Sequence, residues 1–179
     1  MTDGARGEGR FHGNIKIDAK AWTLRPASTS DLPAVNGVIE SAIDTWEIPE
    51  RVKRLCMPLY HYSVNDLAFL DLVVVEAAGV GIVGVAAWDQ AAAGEAPAGH
   101  SALLLHGIYV APGQHRKGIG TRLFEAAVKA ACSRGLDGVL VKAQPGADVF
   151  FTALGLERLP VEDASRDYHY RFWKALSAA

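Results

Sequence analysis

Residues 113–123 read GQHRKGIGTRL, and their types point to anion chemistry. His115, Arg116 and Lys117 can all be cationic, and Gly118 and Gly120 follow one residue apart at the start of an amphipathic stretch. Glycines let backbone N–H groups approach a ligand closely, and a helix N-terminus favours negative charge. The loop therefore reads as a phosphate site. A Walker-type loop needs G-x-x-x-x-G followed by Lys and Ser/Thr. Gly113 and Gly118 have that spacing, but Ile119 and Gly120 fill the two required positions. A dinucleotide fingerprint needs a third glycine where Leu123 stands, and it opens the first βαβ unit of its domain. Neither ATP nor a dinucleotide fits.

A second chemical feature lies just upstream. In ALLLHGIYV, His106 is the one side chain that titrates near neutral pH inside an apolar run. An imidazole changes charge in the range useful to a general base. The plain alternative is a core histidine bonded to a backbone carbonyl, and both readings stay open. Glu76 and Asp89 are weaker candidates for the same role.

These residues need a frame. Ala21–Ala27 reads as a first strand ended by Pro26. Ser28, Ser30 or Asp31 can cap a helix whose apolar positions Leu32, Val35, Val38, Ile39 and Ile43 repeat near every 3.6 residues, with Pro33 in the first turn. A weaker helix is expected between Pro49 and Asn65. Asp71–Gly79 and Val80–Trp88 form an antiparallel hairpin, and Gln90–Ser101 is a loop of Ala, Gly and Pro. Ala102–Val110 is apolar on both faces apart from His106, which marks a central strand, and Gly107 predicts a bulge or a close approach. The helix after the loop buries Ile119, Leu123, Phe124, Ala127, Val128 and Ala131 and ends at Gly135. A strand over Gly138–Gln144, a short helix over Ala147–Gly155 and two last strands, LERLPVE and YHYRFWKAL, complete one α/β domain over 21–179. Residues 1–20 read as a flexible arm.

At 179 residues, half of them hydrophobic, the chain is one globular domain. A net charge of −2 gives no reason to expect nucleic acid. Cys56 and Cys132 match no metal or redox spacing, and no two of the six histidines sit at helical ligand spacing, so no metal is expected. With no signal-like or membrane-spanning stretch, the expected location is cytoplasmic, without a membrane partner.

Together, the strand ending IYV, the Ala-Pro step and the basic loop running into KGIGT resemble the acetyl-CoA site of the GNAT acyltransferase superfamily. Its motif, Gln/Arg-x-x-Gly-x-Gly/Ala, corresponds to His115-Arg-Lys-Gly118-Ile-Gly120. WTLRPASTSDLPAV, the hairpin and ADVFFTALGLERL follow the family's order, over about residues 21–175. The resemblance implies a mixed, mostly antiparallel central sheet flanked by helices. It also implies acetyl-CoA as co-substrate. The amides of His115, Arg116, Lys117, Gly118, Ile119 and Gly120, with Thr121 at the helix start, would cradle the pyrophosphate. The main chain of Ile108, Tyr109 and Val110 would pair with the pantetheine arm. Arg116, Lys117 or Arg122 would meet the 3′-phosphate.

The implied reaction is direct attack of a primary amine on the thioester, with His106 as the candidate base and a main-chain N–H near Gly107–Tyr109 as the oxyanion donor. Many members carry a tyrosine acid where Phe151 stands, and phenylalanine donates no proton. Tyr60, Tyr62, Tyr109 and Tyr168 are other sources. Asp31, Glu40, Asp44, Glu47 and Glu50, with no Lys or Arg from Pro26 to Glu50, would favour a cationic acceptor, small molecule or peptide. A homodimer is one expectation for the oligomeric state. A non-catalytic acetyl-CoA-binding sensor or partner module is the alternative function.

Overall fold

The computed structural model describes residues 22–165 and 167–176, so the expected arm over residues 1–20 lies outside the described residues. Among the described residues seven strands form one sheet in the order β1-β2-β3-β4-β5-β7-β6. They are β1 (Trp22–Pro26), β2 (Asp71–Ala77), β3 (Gly81–Gln90), β4 (Ala102–Val110), β5 (Gly138–Lys142), β6 (Glu157–Arg158) and β7 (Arg171–Ala175). Only β4 and β5 pair in parallel; every other pairing is antiparallel. The expected mixed sheet is the observed one.

Among the described residues four α-helices cover the two faces: α1 (Leu32–Asp44), α2 (Glu50–Tyr60), α3 (Ile119–Ser133) and α4 (Asp148–Ala153). On one face, Leu32, Val35, Val38, Ile39 and Ile43 of α1 pack on Leu72, Val74, Val85, Ala87 and Tyr109. On the other, Ile119, Leu123, Phe124, Ala127 and Ala131 of α3 pack on Val75, Val83, Leu103, Leu105, Val139 and Val141. The 3.6-residue repeats of α1 and α3 are thus core stripes. Gly135, at φ +66°, follows the C-cap Arg134 and stops α3 in the left-handed conformation that glycine adopts cheaply.

The C-terminal end departs from expectation. LERLPVE contributes only two strand residues, and β7 begins at Arg171, leaving Tyr168–Tyr170 outside the strand. Arg158 explains part of this. Its guanidinium lies 4.8 Å from the Tyr170 ring centroid and donates to the His169 carbonyl, so these side-chain contacts add to the main-chain bond from Ala143 N–H to the Tyr170 carbonyl in fixing this stretch.

Strand β4 carries the irregularity that shapes the site. Ala87 of β3 pairs with Gly107, but the adjacent Trp88 pairs with Leu105, so His106 is an extra residue. A one-residue insertion swaps which side chains face each side of a sheet. Leu103 and Leu105 before the bulge, and Ile108 and Val110 after it, all face α3, while Tyr109 turns to the α1 face.

Candidate active site

The parallel pairing of β4 with β5 ends at Leu105–Val141. Beyond that rung β5 has no partner for residues 106–110, whose main chain is left with one open edge. His106 and Lys142 stand just past the point where the strands part. A cleft of about 920 Å³ opens along this edge. Ile108, Tyr109 and Val110 form one wall, with Gln114, His115, Arg116, Gly118, Ile119, Gly120 and Thr121 at the loop end. Nine of the ten residues expected to hold the cofactor thus line one cleft. The exception is Lys117, whose Nζ donates to Gln114 Oε1 at 2.9 Å.

The loop's geometry leaves main-chain donors open. Gly118, the N-cap of α3, has φ +84°, and Arg116 is held at φ +60°, a left-handed backbone uncommon outside glycine. His115 N–H is taken by the Pro112 carbonyl, so its amide is not free as expected. Its Nε2 donates to the Val110 carbonyl at 2.9 Å, pinning the loop to β4. The next bonded amide is that of Arg122, which donates to Gly118. Among the described residues no hydrogen bond reaches the amides of residues 116–121, six consecutive donors beside the positive end of α3. Arg116 and Arg122 make no ion pair among the described residues. A β-carbon at Gly120 would lie 3.1 Å from Phe150 Cζ, so glycine keeps the cleft open between loop and α4.

At the other end, His106 sits half exposed on the α1 face, its Nε2 2.9 Å from Asp89 Oδ1. It is not a core histidine on a backbone carbonyl. Asp89, a secondary candidate from the sequence, is its partner. Glu95 of the loop after β3 holds Lys142 at 2.6 Å, and this pair keeps the Glu95 carboxyl below its usual range. Asp89, His106 and Lys142 therefore form a polar row across β3, β4 and β5. Glu76, the other secondary candidate, is bound to Arg25 at 2.9 Å and is remote from this row.

Of the α4 phenylalanines, Phe151 is buried against Phe172 and Phe150 faces the cleft. Neither donates a proton. Part of the acidic segment is neutralised: Asp31 pairs with Arg25 and Glu50 with the buried Lys53, while Glu40 Oε1 lies 3.0 Å from His61 Nε2. Asp44 and Glu47 alone keep carboxylates without an ion pair among the described residues. The segment's contribution to the cleft is Ala42, Thr45 and Trp46. No local pattern signals the bond from Gln144 Nε2 to Tyr60 Oη, 2.5 Å, because it joins residues 84 apart. Among the described residues no three His, Cys, Asp or Glu side chains gather as a metal-ligand set, and no helix is long and apolar enough to cross a membrane.

Comparison with known proteins bears on the fold. Residues 70–157 match the acetyltransferase (GNAT) domain family, and the stretch spans the hairpin, the bulged strand, the loop, α3 and α4. By that match residues 70–157 carry a GNAT acetyltransferase domain. No curated protein matches it by sequence. Among solved structures it is similar in fold to a GNAT family acetyltransferase from Brucella melitensis in complex with acetyl-CoA. That match has 18% identity and TM-score 0.61, and covers 87% of this chain and 88% of the other. PaiA N-acetyltransferase from Thermoplasma acidophilum, in complex with coenzyme A, matches at 14% identity and TM-score 0.69, covering 87% and 99%. AAC(6')-Iy, in complex with the bisubstrate analogue CoA-S-monomethyl-acetylneamine, matches at 17% identity and TM-score 0.59, covering 82% and 97%.

Proposed function

We propose that this acetyltransferase moves the acetyl group of acetyl-CoA to a primary amine by direct attack within a ternary complex. One observation carries the reading: the unbonded amides of residues 116–121 belong to a loop that, Lys117 apart, lines a cleft following the unpaired edge of β4. A pyrophosphate needs several N–H donors at close range, and the loop offers them without side chains in the way. Arg116 and Arg122 supply cations for the 3′-phosphate. The open edge of residues 108–110 accepts the pantetheine arm as an added strand would, except that the Val110 carbonyl is already held by His115.

In that pose the thioester lies near the parting of β4 and β5. The amine enters from the α1 face and attacks the carbonyl carbon. His106, oriented by Asp89, takes its proton directly or through a water, and main-chain N–H groups near Gly107–Tyr109 meet the developing oxyanion. Collapse expels the CoA thiolate. Asp44 and Glu47 add modest attraction for a cationic acceptor. Incubation with acetyl-CoA and spermidine, neamine or a lysine peptide, followed by thiol release, tests the reading. CoA binding without thiol release from any amine would favour the sensor alternative instead.

A further inference from the structure

Tyr109 is only 7% exposed, yet among the described residues no hydrogen bond reaches its hydroxyl. The hydroxyl oxygen itself is not among the buried polar atoms that lack a partner, so it keeps contact with solvent and its hydrogen-bonding capacity is open to a ligand. The residue lines the cleft. Its position is specific. A β-carbon on Gly107 would lie 2.6 Å from Tyr109 Cε2 and 2.9 Å from both Cζ and Oη, so the phenol folds back over the bulge glycine. The bulge is what turns Tyr109 to the α1 face, the face that carries His106 and Asp89. Its ring is held from the side by Tyr60, centroids 6.4 Å apart at 75°. Three features of the chain, an inserted residue, a glycine in a central strand and an edge-on aromatic neighbour, thus converge on one unpaired hydroxyl beside the candidate base.

We infer that the Tyr109 hydroxyl is a side-chain donor to the thioester carbonyl oxygen, joining the main-chain donors as that oxygen becomes an oxyanion. The inference rests on the acetyl-transfer reading. As the amine's electron pair forms the C–N bond, the carbonyl π pair moves onto oxygen, and Tyr109 donates a hydrogen bond to it while keeping its proton. When the pair returns, the C–S bond breaks and the thiolate leaves. Burial, with Tyr62 and Tyr60 nearby, pushes the Tyr109 phenol far above its usual range, so it remains a neutral donor throughout. A preorganised donor of this kind is worth about 10²–10³ in rate.

Tyr109→Phe deletes one oxygen and keeps the ring. Isotope-edited infrared spectra of carbonyl-13C acetyl-CoA bound to wild type and variant need no acceptor. The carbonyl stretch is expected at lower frequency in wild type than in Tyr109→Phe, with equal acetyl-CoA affinity and an equal or higher melting temperature in the variant. An identical stretch in both proteins overturns the inference. So does a folded variant that loses acetyl-CoA binding, or one that melts markedly lower, since the hydroxyl would then serve the strand's structure. Absence of acetyl-CoA binding by the wild type overturns the acetyl-transfer reading itself; binding with an unshifted stretch overturns only the role of Tyr109.

Discussion

The ring of Tyr109 occupies the space a side chain at Gly107 would need, with Cε2 2.6 Å from the position of a β-carbon. Residues two apart on a regular strand point the same way without touching, and here the bulge at His106 folds one onto the other. Gly107→Ala should therefore force the phenol aside and cost about 1–3 kcal/mol. The same substitution in a Tyr109→Ala background should cost clearly less. Denaturant melts of the four proteins of this cycle measure the coupling, and equal costs in both backgrounds would rule this packing out.

His106 and Asp89 are the proton-transfer pair in the proposed reaction. His106→Ala should lower kcat/KM by about 10²–10⁴ at unchanged CoA affinity, since the pyrophosphate loop is untouched. Asp89→Asn keeps the ring but removes the carboxylate that orients it, and should fall between wild type and His106→Ala. Turnover within a few-fold of wild type in a folded His106→Ala protein would mark the pair as structural.

Much of this is legible in the chain, and the limits have physical reasons. The loop Gly113–Thr121 and the helix behind it announce themselves because glycine spacing, charge and a 3.6-residue repeat are local properties. The bulge at Gly107 is readable for the same reason, since a glycine interrupting an apolar strand often marks one. The partner of His106 is not, because a cross-strand neighbour depends on register, and register depends on the bulge. Likewise the acidic stretch 31–50 looks like a free wall only until Arg25, His61 and Lys53, two of them outside it by more than a turn of helix, are brought against it. The over-long final strand has a similar cause: alternating Tyr168 and Tyr170 suit a strand, but Arg158 holds that segment by side-chain contacts.

Acid should expose the Arg25–Asp31 clasp. Bonds from Arg25 and from Ser28 N and Oγ hold the Asp31 carboxyl far below its usual value near 4. A depressed folded-state pKa contributes stability above the unfolded value and loses it as pH falls through the folded one. Asp31→Ala should thus melt lower than wild type at pH 7, by on the order of 1 kcal/mol, with the gap shrinking steadily below pH 4. A gap independent of pH would contradict the assignment.

Alkali should act on the buried phenols. Burial raises Tyr62 and Tyr109 far above the usual tyrosine range. Raised acids stabilise the fold fully below their unfolded pKa, near 10, and lose that contribution as pH climbs above it. Thermal stability should fall beyond pH 10, and Tyr62→Phe should soften that fall. Phenolate absorbance that rises near pH 10 for all five tyrosines in the folded protein would contradict their burial.

Acetyl-CoA recognition by the loop is tested most directly by calorimetric titration of coenzyme A into wild type and Gly120→Glu. The substitution sets a carboxylate among the unbonded amides of residues 116–121 and presses on the Phe150 ring, 3.1 Å from the new β-carbon, so thermal melts of both proteins accompany it. Wild type should bind coenzyme A more tightly than ATP or NAD, and the folded variant should not bind it measurably. Unchanged coenzyme A affinity in a folded Gly120→Glu protein, or tighter binding of either nucleotide by wild type, would contradict recognition by this loop.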